Sequence, residues 1–187
     1  MQVLLQIILA IAAPNHAVET FQRGVAEVLH RLHDASQLYN ITIALPDVES
    51  PVLADQIVRA ALEEQTLRVP AALIVALAWG ESRFDPAAHP ACGVMQVYPH
   101  DLGEPSTACA AWRADLRAGV RAGVKEIEIM LADGRVHGDM RRALLYRACG
   151  NKAFDGTCSE KKHAWVKATM ERWRALSPSR HPAIARA

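Results

Sequence analysis

"WGESRFDPAAHPACGVMQVYP", residues 79–99, sets one acidic residue, Glu81, against the end of an apolar run and follows it with a loop rich in turn-formers. The run upstream, "TLRVPAALIVALAWG" (66–80), places Pro70 where a first helical turn tolerates proline, and residues 71–79 are almost all apolar. This predicts a buried helix over 70–81. Pro86 disfavours helical geometry at Asp85 and ends it. Glu81 is therefore expected at the C-terminal end of a core helix. There it feels the negative end of the helix dipole and, beside Trp79 and Phe84, partial desolvation; both favour the protonated carboxyl. A carboxyl kept protonated near neutral pH is a general acid. An exposed helix-end Glu without a role is the alternative that position alone leaves open.

The neighbouring residues narrow the choice. Val69-Pro70, Glu81-Ser82, Phe84-Asp85-Pro86 and Gly93-Val94-Met95-Gln96-Val97 with Pro99 occur in that order. Together they resemble the lytic transglycosylase domain of the soluble (SLT) type, in the lysozyme-like superfamily. In that family a helix introduced by Val-Pro ends in Glu-Ser, then an aromatic and Asn/Asp-Pro, then a Gly-rich loop and Gly-Leu-Met-Gln-Ile-x-Pro. "DLRAGVRAGVKEIEIML" (115–131) is similar to the family's next long helix, and "RALLYRACG" (142–150) resembles its "ALAAYNAG" element. The resemblance covers roughly residues 50–175. Two departures stand out. The loop between Phe84 and Gln96 is shorter than the family's, and Arg147 replaces the usual Asn after Tyr146, with Cys149 intervening before Gly150.

The resemblance implies a mainly α, lysozyme-like domain with a short β-like groove segment, acting on peptidoglycan glycan strands. Glu81 would be the acid. Ser82 would bond the helix end or the substrate, and Gly93 would let backbone approach sugar. Gln96 suits an acetamide or hydroxyl, and Tyr146 would bond Glu81 or hold the acetamido group. Met95 is kept among the substrate contacts, although packing beneath the groove is its simpler role. Tyr98 and Trp79 offer stacking faces. A hydrolase normally needs a second carboxylate about 5–9.5 Å away, for which the sequence offers Asp85, Asp101 and Glu104. A lytic transglycosylase escapes that need: the substrate's N-acetyl group assists departure and its C6 hydroxyl attacks, leaving a 1,6-anhydro end. No cofactor or metal is expected.

Composition fits a compact domain. The chain has 187 residues, 51% hydrophobic and 22% charged, with a net charge of +1. That balance encodes no strong pull toward nucleic acid or anionic membrane. Lys and Arg gather late, in "MRRALLYR", "EKKHAWVK" and "MERWRALSPSR"; an anionic polymer and a solvated helix face explain this equally well.

Three regions follow: a helical extension (1–46), the domain (47–176) and a tail (177–187). Within the domain helices are predicted at about 51–66, 70–81, 114–132, 138–148 and 159–176, with the groove loop and strand-like "GVMQVY" at 86–98. Ser50 is read as the cap of the first. Residues 1–13, "MQVLLQIILAIAA", are too short for a transmembrane span of about 20 residues. They admit two readings, a signal-peptide h-region or a retained apolar helix. Residues 16–39 read as an amphipathic helix with Val18, Phe21, Val25, Val28, Leu29 and Leu32 on one face and Asn15 as N-cap. If the first segment is retained, residues 1–38 are expected to contact copies of the chain or another subunit, with Leu4, Leu5 and Ile8 joining Phe21, Val25 and Leu29.

Cysteine usage points outside the reducing cytosol, and the expected location is extracytoplasmic, in a periplasm or a phage particle. Cys92, Cys109, Cys149 and Cys158 permit three pairings. Cys92 with Cys109 would brace the shortened loop, and Cys149 with Cys158 would close the turn after Tyr146. Free thiols, or a zinc site using His89, Cys92 or His163, are the other readings. Three function classes stay open: a peptidoglycan lytic transglycosylase, opening the wall locally as part of a phage particle or secretion machine; a lysozyme-like hydrolase; and an assembly subunit that keeps the fold.

Overall fold

A computed structural model describes residues 51–177. The expectations for residues 1–50, including the extension, its interface residues and the Ser50 cap, and for the tail beyond 177, lie outside the described residues.

The described chain is mainly helical. Helices α1 (Pro51–Glu64), α2 (Ala71–Ser82), α3 (Ala108–Ala114), α4 (Leu116–Ala132), α5 (Met140–Cys149), α6 (Lys152–Asp155) and α7 (Glu160–Leu176) are joined by loops, with a 3-10 turn at Pro99–Leu102. The predicted helices at 51–66, 70–81, 114–132, 138–148 and 159–176 match α1, α2, α4, α5 and α7 within two residues at each end. Short α3 and α6 were not predicted.

α2 is the centre because it is apolar all round: residues 71–78 are all buried. α1 and α7 pack on it, α4 packs on α1, α3 and α5, and α5 packs on α7. Arg83 ends α2 in the left-handed region (φ 56°), its N–H bonding the Trp79 carbonyl at 3.2 Å, and Phe84 follows at φ 70°. α4 starts at Asp115, whose carboxylate accepts from Arg117 N (2.9 Å) and Ala118 N (3.2 Å), and Asp139 caps α5 from Arg142 N (2.8 Å). Glu64 of α1 meets Arg117 and Arg121 of α4.

The strand-like reading of "GVMQVY" is corrected. Among the described residues there is no strand here, only a single bridge between Cys92 and Val97. Gly93 (φ 64°) and Gln96 (φ 50°) curl residues 93–96 into a turn, and left-handed residues break the alternation a strand needs.

That turn docks on a glycine groove of α4. A Cβ at Gly123 would stand 2.6 Å from Met95 Cβ, and one at Gly93 would stand 2.9 Å from the Trp112 carbonyl oxygen. Real side chains do not fit at such separations, so the loop seats only because both positions are glycine.

Cys92 and Cys109, and Cys149 and Cys158, stand paired at disulfide distance, with Cα atoms 5.2 and 5.8 Å apart. The first ties the loop to α3 and the second ties the end of α5 to the entry of α7. Cys92 is thereby removed as a zinc ligand. Among the described residues no helix is long and apolar enough to cross a membrane.

Candidate functional site

Glu81 sits in the last turn of α2, at the edge of an open cleft of about 350 Å³. α2 supplies Gly80 and Glu81, the loop supplies His89, Pro90, Ala91 and Gln96, and Tyr98 and Asp101 flank the start of the 3-10 turn. Glu126 comes from α4, Arg147 and Ala148 from α5, Lys162 and Trp165 from α7. Six segments thus converge on one opening.

Arg147 organises it. Its Nε donates to Glu126 Oε2 at 2.8 Å, its Nη1 pairs with Glu81 Oε1, and its Nη2 donates to the carbonyls of Met95 (2.5 Å) and Gln96 (3.2 Å). The side chain is only 7% exposed, against 6% for Glu126 and 18% for Glu81. Burial pulls the guanidinium down to about 10 and pushes the Glu126 carboxyl up to about 8, with the charge of Asp101 adding to the latter. The close guanidinium acts on Glu126 in the opposite sense.

The sequence expected Glu81 to be kept protonated by the helix end and its apolar neighbours. The structure adds to those neighbours the Arg147 guanidinium, paired with Glu81 Oε1.

The other expected residues divide. Tyr98 lines the cleft, 41% exposed. Gln96 lines it too, but its amide is committed to the loop: Nε2 donates to Ala88 O (3.0 Å) and Gly93 O (2.9 Å), and Oε1 accepts from Ala91 N (3.3 Å). Its part is to hold the loop's shape.

Ser82, Gly93, Met95 and Tyr146 are absent from the cleft lining. Ser82 Oγ lies 3.0 Å from Ala78 O and 2.9 Å from Val94 O, a link between helix and loop. Gly93 serves the close approach to Trp112, and Met95 is wholly buried against Gly123. The Tyr146 hydroxyl accepts from Arg135 Nη2 (3.2 Å) and its ring meets Phe154 at 5.0 Å; no hydrogen bond joins it to Glu81 among the described residues. Trp79 packs edge-on to Phe84 at 5.3 Å beneath Arg83.

Of the candidate second carboxylates, Asp85 accepts from Ala87 N (2.8 Å) and caps its turn, and Glu104 pairs with Lys125 (3.2 Å). Asp101 alone of the three lines the cleft. Sequence reasoning missed Glu126. A signal was present: Glu126 lies three residues after Gly123 and seven after Gly119, in register with the core-facing side of α4.

No protein-family description matches the chain, and neither the curated proteins nor the solved structures yield a match. The architecture defines a mainly helical protein with a carboxylate-bearing cleft.

Proposed function

We propose that this chain is a peptidoglycan lytic transglycosylase with a lysozyme-like fold, cleaving the β-1,4 bond between N-acetylmuramic acid and N-acetylglucosamine from Glu81. The observation that carries the reading is the position of Glu81: the motif glutamate ends a buried helix and opens onto a cleft of ligand-binding size. Tyr98 and Trp165 line that cleft and offer faces on which sugar rings stack. Glu81 gives its proton to the glycosidic oxygen as the bond to C1 breaks, with the substrate's acetamido group assisting. The C6 hydroxyl then attacks C1 and returns its proton to Glu81, closing the anhydro ring.

The paired cysteines suit an extracytoplasmic place of action. Action within a phage particle or secretion machine, with residues 1–38 as the contact, belongs to the same proposal. A lysozyme-like hydrolase is the second reading, favoured by the further carboxylates Asp101 and Glu126 in the cleft. Mass spectrometry of products from purified peptidoglycan separates the two: anhydro-muramic ends support the transglycosylase, reducing muramic ends the hydrolase, and no cleavage overturns both.

A further inference from the structure

The cleft holds two carboxylates on one guanidinium. Glu81 and Glu126 approach Arg147 on different nitrogens, Nη1 and Nε, while Nη2 is occupied by the Met95 and Gln96 carbonyls. With both carboxyls ionised the cluster carries a net charge of −1, largely out of water, and an uncompensated charge in such a place is costly.

The surroundings do not supply the missing cation. Asp101, on the 3-10 turn, adds negative charge. Lys162 of α7 and His89 of the loop line the cleft, but among the described residues neither forms an ion pair with either carboxylate. On α4 itself Lys125 is taken by Glu104, and Arg117 and Arg121 by Glu64 of α1. Taking up one proton is the remaining way to neutralise the cluster.

We infer that Glu81 and Glu126 share a single proton across Arg147, and that Glu126 is a positioning residue: as a carboxylate it occupies the guanidinium and leaves the proton on Glu81. This rests on the reading of Glu81 as the acid. Two arrangements of that proton exist. With Glu126 protonated, Glu81 is a carboxylate held by Arg147 and has nothing to give. With Glu126 ionised, its 2.8 Å bond to Nε takes up the positive charge, and Glu81 carries the proton at the edge of the cleft. When Glu81 transfers it to the leaving oxygen, the new carboxylate finds Nη1 in place. The proton released by the attacking C6 hydroxyl restores the start. The upward push on Glu126 from burial agrees with a proton held by the pair near neutrality.

The test is a carboxyl-13C NMR titration of the full chain with labelled glutamate, alongside the pH–rate profile on purified peptidoglycan, for the parent, Glu126→Gln and Glu81→Gln. In the parent, one carboxyl of the pair should titrate above about pH 6. In Glu126→Gln, Glu81 is left alone with Arg147, so its titration and the alkaline limb of the rate profile should both move down by at least about one pH unit. A parent in which both carboxyls titrate near 4, or a Glu126→Gln profile that overlays the parent's, overturns the inference. The parent titration needs no substitution, so it decides the matter even if the variant fails to fold. A parent that cleaves no peptidoglycan defeats the proposed function, while the titration still judges the shared proton.

Discussion

The Ser82 hydroxyl lies 2.9 Å from the Val94 carbonyl, bridging the end of the glutamate-bearing helix to a loop twelve residues further on. Both residues are buried. Ser82→Ala strands that carbonyl without its partner, at a cost of about 1–3 kcal/mol. Urea denaturation of the variant should show this loss with no change in denaturant slope. A midpoint equal to the parent's would remove the bridge from the account of how the loop is held.

Glu81→Gln keeps the shape but not the transferable proton. Cleavage of purified peptidoglycan should fall by at least about 10²-fold, with the helical signal unchanged. A variant that clears walls as fast as the parent would sink the assignment of Glu81.

Stability should fall with rising pH across neutrality. Burial pushes the Glu126 carboxyl up from 4.5 to about 8, so the Glu81–Glu126 pair keeps in the native state one proton that the unfolded chain has already released. Its contribution is present below about 4.5 and lost as pH rises toward about 8. Glu64 runs the other way: the bonds from Arg121 and Arg117 outweigh the burial that opposes them and hold its carboxyl down to about 2, so its contribution is present above 4.5 and lost as pH falls toward about 2. Melting temperature against pH should therefore peak on the acid side of neutrality, near pH ~5. A melting temperature that climbs steadily from pH 5 to 8 would contradict the burial of Glu126.

Gly123→Ala puts a methyl 2.6 Å from Met95 Cβ. Overpacking of this kind costs about 1–3 kcal/mol. The push on Met95 also shifts the carbonyl that Arg147 holds, so activity should drop further than stability alone explains. Calorimetry and the cleavage assay on the same sample would show it.

Cys92 and Cys109 close a loop with a sequence separation of 17. Replacing both with Ser should cost about 3 kcal/mol by the loop-entropy argument. Non-reducing peptide mapping should find the Cys92–Cys109 and Cys149–Cys158 peptides linked; four free thiols would refute both pairings.

The long helices were legible because each carries its own signal. α2 is an unbroken apolar run behind Pro70, and α4 repeats apolar and small residues at three- and four-residue steps. Helix α3 escaped because "EPSTACAAWRAD" has little periodicity and Thr107 makes no capping bond, so tertiary contact and the Cys92 tie define it. "GVMQV" is strand-like in composition, yet it curls because left-handed Gly93 and Gln96 and the pocket at Gly123 decide its path. In the site, Glu81 announced itself locally. Arg147 was visible only as a departure from the resembled pattern, and Glu126 as a glutamate in a core register. Their joint contact is long-range, and no local rule encodes it.

Arg147 reaches across 66 residues of chain to Glu81, 52 to Met95 and 21 to Glu126. Contacts of such separation form only after the intervening loops have closed, which makes them late events in folding. A nascent chain that has completed α2 but not yet α5 therefore has Glu81 and lacks the cleft around it. The fastening also sets an order of assembly, in which the cleft arrives with the finished tertiary structure. For a protein proposed to attack the wall that encloses its own maker, that timing keeps the unfinished chain harmless.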